Sequence, residues 1–181
     1  MRVITGEARG RRLVTLEGDD VRPTTDKVKE GIFNIIQFDI PEANVLDLFA
    51  GSGQLGIEAI SRGARHCCFV DSSKRSLDTV KENLKICGFE KRASTFSSDG
   101  VSYAELTHDV FDIVFLDPPY RKQIIDKVLP IVAGKVSDGG IIVCETSLEE
   151  TLPETAGDFS VAREYKYGKI KITTYRKNKL L

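Results

Sequence analysis

Asp117-Pro118-Pro119-Tyr120 follows the apolar run Val110-Phe111-Asp112-Ile113-Val114-Phe115-Leu116, so a carboxylate, two prolines and an aromatic ring crowd the exit of a strand. Prolines fix their own φ and carry no N–H, which stiffens the turn and leaves its carbonyls free to accept hydrogen bonds. Asp117 is a second acceptor beside them, and the Tyr120 ring is a face on which a planar base stacks for about 1–3 kcal/mol. A nucleobase with an exocyclic amine would satisfy all of these groups together. The plain alternative is a Pro-Pro strand exit in which Asp117 caps a turn.

A second group of residues belongs to a cofactor. Asp47-Leu48-Phe49-Ala50-Gly51-Ser52-Gly53-Gln54-Leu55-Gly56 holds the spacing G-x-G-x-x-G between an apolar strand pattern and a helical one. Asp71 ends the next strand pattern, 20 residues after Gly51, where an acidic side chain accepts hydrogen bonds from ribose hydroxyls. Its other reading is a helix cap, a role that Ser72 or Ser73 could fill instead. Asp47 separates two classes of nucleoside ligand: a carboxylate at the mouth of the Gly turn repels a pyrophosphate, but suits the ammonium and sulfonium of S-adenosyl-L-methionine. Ser98-Asp99-Gly100 closes the third strand, where Asp99 either reaches an adenine amine or opens a solvated loop. The candidate cofactor set is therefore Asp47, Phe49, Ala50, Gly51, Gly53, Asp71, Ser72, Asp99 and Gly100.

These residues need a scaffold that brings strand ends together. From Val45 onward strand and helix patterns alternate, with strands over 44–49, 66–71, 93–97, 111–117 and 139–145 and helices over 54–63, 74–87 and 121–133. Such alternation predicts a parallel sheet covered on both faces, whose ligands lie outside the carboxyl ends of the strands. Residues 159–165 and 169–176 read as two further antiparallel strands around Tyr167-Gly168. Before the alternation, residues 2–6 and 12–16 read as a small hairpin. A helix then follows the cap candidates Thr24-Thr25-Asp26 and stops at Pro41.

The 181 residues, 41% hydrophobic and 29% charged, fit one globular domain with a full core. No apolar stretch approaches a membrane span and the first residues lack a signal-peptide core, so a soluble, cytoplasmic protein is expected. Cys67, Cys68, Cys87 and Cys144 lack metal-ligand spacing and read as reduced core residues, and neither His66 nor His108 suggests a metal site. Charge is segregated: four arginines against Glu7 give residues 1–15 a net +3, and seven basic residues against Glu164 give residues 163–179 a net +6, although the whole chain carries −1. Basic ends on an acidic body suit a localised polyanion contact. On a terminal edge strand, lysines equally serve to discourage edge-to-edge pairing.

The Gly turn together with Asp-Pro-Pro-Tyr resembles the signature of class I amino-group methyltransferases. Arg2-Val3-Ile4-Thr5-Gly6, Gly10-Arg11, the run Arg22 to Glu30, Phe33-Asn34, Asp47 to Glu58 and Asp117 to Tyr120 extend the likeness over most of the chain. On these residues the chain closely resembles the bacterial 16S rRNA (guanine-966-N2)-methyltransferase family, departing from it at Thr5, where many members have Gly, and at Asp71, where Glu is common.

The resemblance implies an α/β, Rossmann-like class I fold. A mostly parallel seven-stranded sheet would carry helices on both faces, with an N-terminal hairpin extension over 1–20 and the methyltransferase domain over 21–181. It implies S-adenosyl-L-methionine as donor, a guanine N2 amine of 16S rRNA or an assembling 30S particle as target, Asp117, Pro118, Pro119 and Tyr120 as catalytic residues, a monomer, and no metal. The base would be flipped out of its stack to reach Tyr120. Arg2, Arg9, Arg11 and Arg12 of the hairpin, with Arg121 and Lys122, are the candidate phosphate contacts, or else a solvated face. Arg22 and Thr24 either touch cofactor or substrate, or Thr24 only caps the helix. Rival activities are methylation of adenine N6 in DNA or of a glutamine amide, NAD-dependent oxidoreduction, and RNA binding without catalysis.

Overall fold

The computed structural model describes residues 1–16, 24–119 and 123–178. Thr25 starts α1 (Asp26–Ile35), its hydroxyl accepting from the Val28 N–H at 3.4 Å, while Val28, Ile32 and Phe33 turn inward. Five βα-linked strands follow: β1 (Asn44–Asp47), β2 (His66–Asp71), β3 (Ala93–Ser97), β4 (Phe111–Leu116) and β5 (Val136–Ser147). Between them lie α2 (Gln54–Ser61), α3 (Lys74–Cys87), α4 (Gly100–Leu106) and α5 (Ile124–Ala133). The chain ends on β6 (Thr155–Ala156), β7 (Phe159–Tyr167) and β8 (Ile170–Lys177).

One sheet runs in the order β3-β2-β1-β4-β5-β8-β7-β6. The first five strands pair in parallel, and β8, β7 and β6 add on antiparallel. The sheet thus has eight strands rather than the seven expected, the addition being the two-residue β6 at the edge. Every residue of α2 is buried, as befits a helix packed between the sheet and the N-terminal arm. One apolar cluster lies on the face covered by α1, α2 and α3, and a second on the face covered by α4 and α5. Cys67, Cys68 and Cys144 are free and buried within these clusters, and Cys87 is free and half-buried. No helix among the described residues is long and apolar enough to cross a membrane.

The N-terminal arm departs from the two expected strands. Its pairing is one isolated bridge, Arg2 with Arg12, supported by Val3 N–H to Arg11 O and Gly10 N–H to Val3 O. The reason is that side chains of the body take the other backbone groups. Glu58, fully buried on α2, accepts from the N–H groups of Ile4 (2.8 Å) and Thr5 (3.0 Å) and from Arg62 Nε (2.8 Å). Lys29 Nζ lies 3.7 Å from the same carboxylate and donates to Arg2 O; burial, opposed by Glu58, pulls this ammonium below its usual pKa.

Asn83 holds the other limb of the arm. It accepts from the Val14 N–H at 2.7 Å and donates to Val14 O at 3.0 Å and to Ser52 O at 2.9 Å, joining the arm, α3 and the Gly turn.

Candidate active site

β1 pairs with β2 on one side and β4 on the other, so the chain changes direction across the sheet at β1/β4. A crevice opens outside the carboxyl ends of strands at such a reversal. Here it is a cavity of about 750 Å³ that brings Asp47, Asp71, Asp99 and Asp117 to one space. Met1, Thr15 and Leu16 of the N-terminal arm form part of its wall, a contribution the sequence patterns did not reveal.

At the cofactor end, the strand predicted over 44–49 stops at Asp47, because Leu48 and Phe49 enter the turn. Gly51 (φ +55°) and Gly53 (φ +80°) hold left-handed backbone that lets Gly53 N–H close on Ala50 O at 2.7 Å. Asp71 fastens this turn: Oδ2 accepts from the Gly51 N–H at 2.9 Å and Oδ1 from the Ser73 N–H at 2.8 Å. Each of its oxygens keeps a second lone pair for a ligand hydroxyl. The cap of α3 is Ser73, which leaves Ser72 exposed on the cavity wall. Asp99 caps α4, accepting from the Ser102 N–H at 2.9 Å, and this hydrogen bonding holds its carboxyl below the usual pKa. Gly100 is needed for closeness: a Cβ there would fall 2.7 Å from the Phe49 ring.

Asp47 is 2% exposed and accepts from the Gly56 N–H at 3.1 Å. Burial pushes its carboxyl up to about 7, aided by Asp71 and opposed by the Gly56 hydrogen bond. Asp117, at the end of β4, is raised well above the usual carboxylate range by burial first, then by Glu145 and Asp47. Pro118 is buried and Pro119 exposed, and both also line a neighbouring cavity of about 360 Å³ with Ser147, Glu149 and Thr151. Tyr120, Arg22, Arg121 and Lys122 lie outside the described residues.

Thr24 does not cap α1. It is 4% exposed, and its hydroxyl donates to Glu145 Oε2 on β5 at 3.0 Å. Glu145 itself was not singled out from the sequence; its place beside Asp117 follows from the β4–β5 register, in which Leu116 pairs with Cys144. The arginines of the arm lie away from the cavity floor. Arg2 pairs with Asp26 at 3.2 Å, whereas Arg9, Arg11 and Arg12 are exposed and none makes an ion pair among the described residues.

The donor set fits a cationic nucleoside. Lys127 is the only lysine or arginine among the described wall residues, against four carboxylates, and the enclosed Oε1 of Gln54 at the start of α2 has no hydrogen-bond partner. Residues 1–176 match the family described as conserved hypothetical protein 95. The chain belongs to this family. A relative in Bacillus subtilis (strain 168), YlbH, which is provisionally named an rRNA methyltransferase, is 43% identical over 98% of this chain and 99% of its own length. The ribosomal RNA small subunit methyltransferase D of Escherichia coli (strain K12) is 31% identical, covering 98% of this chain and 90% of that protein. A solved Escherichia coli structure provisionally called the methyltransferase yhhF superposes with a TM-score of 0.87 at 31% identity, over 98% of this chain and 97% of that one. The family is one of methyltransferases, and the mostly parallel sheet with helices on both faces is their Rossmann-like fold.

Proposed function

We propose that this protein methylates the exocyclic N2 amine of a guanine in 16S rRNA, with S-adenosyl-L-methionine as donor. The observation that carries the reading is the position of Asp117 and Pro118 on the wall of the same cavity as the acidic Gly turn. An amine held at the first is thereby presented to a methyl group held at the second. The rRNA substrate is taken from the names of the Bacillus subtilis and Escherichia coli relatives. The guanine N2 assignment rests on the motif and on the family resemblance of the surrounding residues.

Asp71 would hold the ribose hydroxyls and Asp99 the adenine amine, between walls formed by Phe49, Ala50, Gly51, Gly53, Ser72 and Gly100. Asp47 would face the methionine part. S-adenosyl-L-methionine supplies a methyl group already activated by its positive sulfur. The chain's own task is to make the amine a nucleophile. The N2 lone pair is delocalised into the guanine ring, and hydrogen bonds from N2–H to the Asp117 carboxylate and the Pro118 carbonyl localise it and fix its direction. Orientation of this kind is worth on the order of 7–11 kcal/mol. Asp117 would also receive the proton that leaves N2. Tyr120 would stack on the flipped base, the exposed arginines of the arm, with Arg121 and Lys122, would meet phosphates, and Arg22 would touch the methionine part of the donor or the substrate.

The test is incubation with labelled S-adenosyl-L-methionine and, separately, naked 16S rRNA, partly assembled 30S particles, DNA and protein, followed by nucleoside analysis. The expected product is N2-methylguanosine from the small-subunit RNA. Label recovered as N6-methyladenine or on a glutamine would replace this substrate with another planar amine.

A further inference from the structure

The smaller cavity, of about 360 Å³, has no part in the reaction described so far, yet it shares Pro118 and Pro119 with the larger one. It is also lined by Ser147 at the end of β5, by Glu149 and Thr151 of the loop that follows, and by Asp126 of α5. None of its described lining residues is a lysine or arginine, so it disfavours a phosphate and suits groups that donate hydrogen bonds.

The loop after β5 is held firmly. The Leu148 N–H donates to Lys169 O at 3.1 Å, Lys171 Nζ to Glu150 O at 2.7 Å and the Tyr175 hydroxyl to Pro153 O at 2.6 Å, and both Lys171 and Tyr175 are buried. The Glu150 N–H closes a turn on Ser147 O at 3.2 Å, which sets Glu149 inside that turn. Glu149 is exposed, and its carboxylate makes no hydrogen bond or ion pair among the described residues. Asp126 has a local reason to be acidic, since it lies in the first turn of α5, where the helix dipole favours a carboxylate. Glu149 has none.

Guanine is the one RNA base whose Watson–Crick edge carries two adjacent donors, N1–H beside the N2 amine. Adenine and cytosine set a bare ring nitrogen next to their amine, and uracil has one donor between two carbonyls. We propose that Glu149 is the specificity-determining residue for the target base: with N2 held at Asp117 and Pro118, the Glu149 carboxylate accepts from N1–H across the shared proline wall. The hydroxyl of Ser147 or Thr151 donates to O6, the next group along that edge. The inference rests on the guanine reading proposed above. A carboxylate selects here as much by what it refuses as by what it holds. Its bond to N1–H is charge-assisted, about twice as strong as a neutral one, whereas the N1 lone pair of adenine would be set against the same negative charge. No bond to N1 is made or broken, so Glu149 decides which base is held and takes no part in the methyl transfer itself.

The experiment uses small-subunit rRNA, in whichever form the wild-type protein methylates, rebuilt by ligation with a single 2,6-diaminopurine in place of the methylated guanine. This analogue keeps the amine at C2 but has a bare N1. Wild-type kcat/KM should fall by at least about tenfold on the analogue, the scale of one good base-edge contact. Glu149→Gln offers an amide N–H to the bare N1, so it should lose activity on guanine, gain it on diaminopurine, and bring the two within about threefold of each other. Glu149→Ala should lose activity on guanine without that gain. Both variants should keep the wild-type dissociation constant for S-adenosylmethionine within a few fold, a result that separates base reading from damage to the fold. A wild-type ratio near one, or a Glu149→Gln ratio equal to that of wild type, overturns the proposal. Failure of wild-type protein to methylate the guanine RNA would instead overturn the guanine reading, and this proposal with it.

Discussion

Asp47 carries a pH dependence that can be worked out in sign. Its folded carboxyl titrates at about 7, above the ordinary value of 3.8, so between those values the folded state binds more protons than the unfolded state. Stability contributed by this group therefore falls as pH rises from about 4 to about 7. Asp47→Asn, which retains an acceptor for the Gly56 N–H, should flatten that part of the pH profile of thermal unfolding in unliganded protein. A variant profile parallel to wild type would place the ionisation of Asp47 elsewhere.

Asp71 offers a different kind of test because it has two structural duties as well as the proposed ribose contact. Asp71→Ala orphans the half-buried Gly51 N–H, at about 1–3 kcal/mol, and leaves the exposed Ser73 N–H to water. It should lower stability and weaken S-adenosylmethionine binding together. Loss of stability with an unchanged dissociation constant would leave Asp71 as a fastener of the Gly turn alone.

At the scale of elements, local signals and register account for different things. The predicted helix over 74–87 coincides with α3, because Ser73 caps it and Gly88 turns left-handed at φ +74° to end it. The arm over 2–16 was legible only as a turn flanked by extended residues. What holds it is Glu58 and Asn83, polar residues whose role depends on elements more than 50 positions away. Glu145 was hidden for a like reason. In sequence it is one polar residue in an apolar strand, and only the parallel pairing of β4 with β5 sets it beside Asp117. Glu58→Ala removes the partner of the two arm N–H groups, of Arg62 and of the buried Lys29, and should cost about 3–5 kcal/mol of unfolding free energy in denaturant titrations. A loss below about 1 kcal/mol would mean that the arm is held by its apolar contacts instead.

For the whole molecule, the net charge of −1 conceals a basic N-terminal arm whose base walls the cavity while Arg9, Arg11 and Arg12 face solvent. The proposed role of these arginines is to neutralise RNA phosphates. Replacing all three with Gln should weaken RNA binding and lower the slope of log affinity against log salt by about 2, at ~0.7 for each single-strand phosphate no longer neutralised. An unaltered slope would make them a solvated face. The Rossmann-like layout was legible because apolar strand patterns alternate with helical ones over most of the chain. The antiparallel end was legible as β7 and β8 but not as the two-residue β6, too short to leave a periodic pattern.

The most direct test of the central claim is a paired measurement on Asp117→Ala: the single-turnover rate of methyl transfer to small-subunit rRNA, and the dissociation constant for S-adenosylmethionine. The account predicts a loss of transfer by at least about a thousandfold, the scale of a lost orienting and proton-accepting group, with donor affinity kept within a few fold. Transfer at the wild-type rate would contradict it.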